Sequence, residues 1–200
     1  MSLGTKTLLI LLASVLGYAL IDLLVQQKFI EPSYGELERA ETQRDLERCV
    51  EALRRELHHL DQFTQDWSAW DDTLDYVEGR RTKYPDENLD LRTYIKSDIN
   101  LITLIDRAGH VAWSGCYDLP TKEPVALPEL PGDSWPTDHP LLRHVGFDST
   151  ITGVFSTTHG PLLLCSRPVV ASYKQDHIGG TLIMGRFLNG ELISTLRSQT

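Results

Sequence analysis

The chain has 200 residues and carries 19 lysines and arginines against 28 aspartates and glutamates, for a net charge of −9. That length accommodates one membrane anchor and one globular domain of roughly 100–150 residues. An acidic surface without a Lys/Arg cluster repels phosphodiester backbones, so nucleic acid is excluded as a partner.

The first element is the tether. Leu8 to Val25 reads LLILLASVLGYALIDLLV, interrupted only by Asp22 near its end. At about 1.5 Å per residue this run nearly crosses the hydrocarbon core of a bilayer. A cleaved signal peptide would have a shorter apolar run and a small-x-small site after it, whereas Gln26, Gln27, Lys28 and Phe29 follow here. Residues 1–30 are therefore read as an uncleaved anchor, and the lipid bilayer as a partner. Lys6 before the span and Lys28 after it balance, so charge sets no orientation.

From Gly35 the pattern becomes helical. Leu46, Cys49, Val50, Leu53, Leu57, Leu60, Phe63, Trp67, Trp70, Leu74 and Val77 follow in steps of mostly three and four. Gly79 and the nearby Pro85 supply a stop. A helix over 34–79, about 46 residues and roughly 70 Å long, is too long for one small domain to bury throughout. Its membrane-proximal half is expected to pair with a second copy through Leu46, Val50, Leu53 and Leu57; lying along its own domain is the alternative. The distal half holds Asp66-Trp67-Ser68-Ala69-Trp70-Asp71-Asp72, then Asp75 and Tyr76. The tryptophans read as anchors against a sheet or as walls of a pocket. Paired carboxylates also serve acid–base chemistry, but no matching constellation accompanies them, so no catalytic residue is assigned.

Beyond Asn88 the period becomes that of a sheet, over 88–190. Ile99 to Ile105, a turn at Asp106–Gly109 and Val111 to Ser114 form a hairpin. Leu119 to Pro140 holds six of the ten prolines, together with Trp135, and reads as a loop covering a pocket. Strands follow at Thr152–Thr157, Pro161–Val170 and Gly180–Leu188, and residues 191–200 begin an exit helix. The order gives an α+β fold, with the long helix backing an antiparallel sheet of about five strands.

Cys49, Cys116 and Cys165 are too scattered for a disulfide scaffold. A Cys116–Cys165 bridge stays open beside the alternative of buried thiols. No metal is assigned: His58 and His59 diverge on a helix, and His139 and His144 lack Cys or acidic residues at ligand spacing. No phosphate loop or nucleophile elbow calls for a cofactor.

Four pieces in order resemble the CHASE4 family of extracytoplasmic sensors, relatives of Cache and PAS-like domains. They are Trp67-Ser-Ala-Trp70-Asp71-Asp72-Thr73 with Tyr76, Leu104-Ile-Asp106-Arg-Ala-Gly109, Cys165-Ser-Arg167-Pro168-Val169 with Ser172, and Gly180-Thr-Leu-Ile-Met-Gly185-Arg186. The resemblance implies a PAS/Cache-like sheet in a sensor spanning 31–200, outside an inner membrane and in the periplasm. It also implies a larger receptor, of which this chain is expected to be a fragment. The output would be a histidine kinase, a diguanylate cyclase or a cyclic-di-GMP phosphodiesterase. A small-molecule signal would enter between sheet and covering loop, with Trp70, Asp71, Tyr76, Arg167 and Arg186 as candidate contacts. An ion pair from Arg167 to Asp71 or Asp72 is the structural alternative. A ligand-free dimerising domain and an anchored enzyme are the competing functions.

Overall fold

A computed structural model describes residues 3–26, 28, 31–173, 176–190 and 192. The expected exit helix over 191–200 lies outside the described residues, Leu192 apart. The chain divides into two compact units that meet between Val50 and Glu51. The first contains α1 (Leu3–Val25), long and apolar enough to cross a membrane, with leucines such as Leu8, Leu12, Leu16 and Leu20 exposed.

The helix α2 runs Glu31–Ser68 and stops eleven residues before Gly79, the expected end. The break has a local cause. The Ser68 carbonyl accepts a hydrogen bond from Val170 N–H at 2.9 Å. Trp70 then adopts an extended backbone (φ −108°, ψ 130°). Its carbonyl accepts from Thr73 and Leu74 and starts α3 (Asp71–Val77). Thus the WSAWDD segment is a helix–helix corner pinned to the sheet. Two short helices escaped the sequence reading, α4 (Tyr84–Asn88) and α5 (Leu91–Ser97). Asp90 caps α5 by accepting from Thr93 N–H at 3.0 Å, and left-handed Asp98 (φ 53°) ends it.

The sheet has six strands in the order β3-β2-β1-β6-β5-β4, every pairing antiparallel. They are β1 (Leu101–Asp106), β2 (Val111–Asp118), β3 (Glu123–Pro124), β4 (Ile151–Thr157), β5 (Gly160–Val169) and β6 (Gly180–Phe187). The sixth strand is the two-residue β3, contributed by the proline-rich segment. The β1–β2 hairpin and the β4–β5–β6 meander lie within a few residues of their expected positions, and β6 joins them by pairing with β1.

Alternation sends the strands' side chains into two cores. On one face Ile102, Leu104, Leu163, Cys165, Leu182 and Met184 pack with Leu60, Leu74, Tyr84 and Tyr94 from the helices. On the other, Leu101, Ile105, Cys116, Leu162, Leu164 and Ile183 pack with Trp135 and residues of the proline-rich segment. Cys116 and Cys165 thus belong to opposite cores, and both are free thiols. Within the long helix, Leu53 and Leu57 are half-buried against the helix-side core, whereas Leu46 and Val50 are exposed.

Candidate signal-binding site

The proline-rich segment is stitched to the β1–β2 hairpin by backbone hydrogen bonds. Trp135 N–H donates to Gly109 carbonyl at 2.8 Å, and Val111 N–H donates to Asp133 carbonyl at 2.9 Å. Gly109 has φ +91°, and a Cβ there would lie 2.3 Å from the Trp135 carbonyl oxygen. Only glycine allows the hairpin turn and the cover to approach this closely.

Between cover and sheet lies a cavity of about 260 Å³, lined chiefly by Leu101, Val111, Cys116, Val125, Leu127 and Leu130. Its exposed lining is nonetheless more polar than apolar. Thr103 Oγ1 and Ser114 Oγ share a hydrogen bond of 3.0 Å across the hairpin, and Asp133 adds one carboxylate. Trp135 also lines the cavity at 3% exposure, and its buried indole N–H has no hydrogen-bond partner among the described residues. Burial pushes the Cys116 thiol up to about 12, so it is a neutral apolar wall. A cavity that combines apolar walls with fixed polar groups suits a small molecule.

None of the five candidate contacts lines this cavity. Arg167 lies on the helix side of β5 and makes a forked ion pair with Asp61 of α2, Nε–Oδ1 2.6 Å and Nη2–Oδ2 2.7 Å. Its partner is therefore Asp61, where the sequence reading offered Asp71 or Asp72. Burial alone would raise the Asp61 pKa, but hydrogen bonds from Arg167, Thr150 and Cys165, with the guanidinium charge, hold it below its ordinary value. Arg186 on β6 bonds Glu56 of α2 at 2.9 Å and also pairs with Asp98. Asp71 accepts from Ser172 N–H at 2.8 Å. Tyr76 donates to the Ala112 carbonyl at 2.6 Å and stacks on Tyr84, with ring centroids 5.2 Å apart. Trp70, 39% exposed, meets both Trp67 and Tyr84 edge-on at 6.1 Å.

The structure thus draws Trp70, Asp71 and Tyr76 into the α2–α3 corner and both arginines onto α2. Thr103, Ser114 and Trp135 are the polar cavity groups that sequence reasoning did not single out as contacts. Elsewhere under the cover, burial and then the nearby Arg167 charge hold His144 down to about 4. It is a neutral partner of Ser149 and Ser166. Among the described residues no group of three or more His, Cys, Asp or Glu side chains is placed to hold a metal ion.

The CHASE4 domain profile matches residues 52–200. The chain belongs to the CHASE4 family. It is an extracytoplasmic sensor domain. The methanogenesis regulatory histidine kinase FilI of Methanothrix harundinacea (strain 6Ac) is 31% identical over 156 residues, which cover 78% of this chain and 18% of that protein. The chain therefore spans less than a fifth of that relative. Two solved structures share the fold seen here. A domain titled as part of a sensory box/GGDEF family protein from Vibrio parahaemolyticus has a TM-score of 0.55 at 13% identity, covering 79% of this chain and 62% of that one. The extracellular domain titled as that of histidine kinase vpHK1S-Z8 has a TM-score of 0.54 at 12% identity, covering 79% of this chain and 59% of that one.

Proposed function

We propose that this CHASE4 domain binds its signal in the cavity between the β1–β2 hairpin and the proline-rich cover. The observation that carries this reading is the cavity itself, walled by Trp135, whose buried indole N–H has no hydrogen-bond partner among the described residues. A buried donor without an acceptor is costly, and a ligand acceptor would relieve it. Among the described residues no lysine or arginine lines the cavity, so none of them would neutralise a carboxylate or phosphate there. The ligand is accordingly a small, neutral or cationic molecule that carries a hydrogen-bond acceptor.

In this reading the arginines are ties to α2. Strand β1 presents Thr103 to the cavity and pairs along its length with β6, which carries Arg186. Displacement of β1 by ligand would reach Glu56 through that arginine and bias the position of α2. The helix α1 anchors the domain in the cytoplasmic membrane, with residues 31–200 on its outer side, in the periplasm where an outer membrane exists. Leu46 and Val50 pair two copies, extending a seam to which Leu53 and Leu57 contribute. The domain performs no catalysis. It feeds an output module of the histidine kinase, diguanylate cyclase or cyclic-di-GMP phosphodiesterase type, with the kinase favoured by the FilI relationship.

The test is thermal unfolding of the full chain in detergent micelles against neutral and cationic small molecules. A ligand at about a hundred times its dissociation constant stabilises by about 2.7 kcal/mol, a shift of several degrees. Trp135→Phe should reduce the shift of any compound that binds here. A compound whose shift Trp135→Phe leaves whole, but Arg167→Ala abolishes in a folded protein, would move the site to the helix side.

A further inference from the structure

The helix-facing side of the sheet holds a second cleft, of about 200 Å³, which plays no part in the signal site proposed above. Residues of α2, the end of α5, β5 and β6 line it. Its floor is apolar: Leu60, Ile99 and Leu163 are 5%, 3% and 0% exposed, and the half-buried Phe63 adds a ring wall. Its charged groups are Glu56, Asp98 and Arg186.

Arg186 bonds both carboxylates, but one guanidinium neutralises only one of them, so the trio carries a net charge of −1. The side chains of Glu56, Arg186 and Asp98 are 13%, 27% and 58% exposed. Asp98, the most exposed of the three, therefore sets the net negative charge at the open side of the cleft, above an apolar floor. An entering anion would meet two carboxylates around an arginine already engaged. A neutral apolar molecule would cover the floor and leave the net charge of the trio uncompensated. An ammonium group with a short alkyl body satisfies both levels, charge at the mouth and carbon on the floor.

We propose that this cleft is a binding site for a small organic cation, whose ammonium head pairs with Asp98 and Glu56 while its alkyl part rests on Leu60, Phe63 and Ile99. Glu56, Leu60 and Phe63 all belong to α2, so an occupant would bear directly on the helix that leads towards the membrane anchor. The site stands independently of the cavity beneath the cover.

The experiment uses the full chain in detergent micelles at pH 8. The probes are n-butylammonium chloride, sodium butyrate and sodium chloride at matched ionic strength. n-Butylammonium should raise the unfolding midpoint saturably in the millimolar range, and the other two should not. Asp98→Asn keeps a residue that tolerates the left-handed backbone there, and should weaken the apparent affinity at least fivefold. Phe63→Leu keeps an apolar bulk in place of the ring and should also weaken it. Trp135→Phe should leave it unchanged. An equal shift from butyrate, no saturable shift, an undiminished shift in Asp98→Asn, or its loss in Trp135→Phe would each overturn the assignment.

Discussion

Arg167 of β5 and Asp61 of α2 grip each other through two hydrogen bonds, 2.6 and 2.7 Å long, across 106 residues of sequence. The side chains are only 8% and 14% exposed, and Thr150 and Cys165 bond the same carboxylate. Asp61→Ala strands a buried guanidinium and should cost about 3–5 kcal/mol in urea unfolding. The double variant Asp61→Leu/Arg167→Met removes both charges and should recover most of that loss. Asp61 is depressed in the folded state, so its contribution is present above the ordinary carboxyl value of 3.8 and disappears as pH falls through the lower folded value. The double variant should therefore lose less stability in that acid range than the parent.

A second titration runs the other way. His177 lies 2.6 Å from Glu78 and 2.6 Å from Asp176. The Glu78 contact, then Asp176, raise its pKa above the ordinary 6.5. Arg80 also pairs with Glu78. A raised histidine stabilises fully below its unfolded pKa and loses that contribution as pH rises through its folded pKa. The melting temperature of the parent should fall between about pH 6 and pH 8.5 more than that of His177→Gln. Equal slopes would show that this contact carries no stability.

Much of the sheet was legible in the sequence because its signals are local. Gly109, the β-branched run before it and the apolar stretches of β5 and β6 mark strands without help from distant residues. The α2–α3 break was not legible, since its cause is Val170 taking the Ser68 carbonyl from more than a hundred residues away. The partner of Arg167 was hidden for the same reason. A guanidinium on a strand announces only that it needs a carboxylate, and nothing in the helical pattern singles out Asp61. The cover could be read from its prolines. Trp135 could not be recognised as a cavity wall, because burial without a hydrogen-bond partner is a property of the fold.

Leu46 and Val50 remain exposed on α2, at 64% and 40%, in a stripe whose continuation, Leu53 and Leu57, packs on the domain's own core. Leu46→Lys and Val50→Lys together should shift the full chain in detergent from dimer to monomer in sedimentation, with the sheet domain's melting unchanged. A monomeric parent at high concentration would contradict the paired arrangement.

Cys49 is exposed, while Cys116 and Cys165 are buried with raised pKa values. A membrane-impermeant maleimide added to intact cells whose outer envelope admits it should label the chain at Cys49, and Cys49→Ser should abolish labelling. Labelling only after lysis would place the domain on the cytoplasmic side.

The most direct test of the sensing account is calorimetric titration of the stabilising ligand into the parent chain and into Ser114→Leu, which fills the cavity beneath the cover. The account predicts saturable binding to the parent and at least a tenfold loss in Ser114→Leu, with Asp98→Asn unaffected. An unchanged affinity in a folded Ser114→Leu protein would show that the signal is read elsewhere.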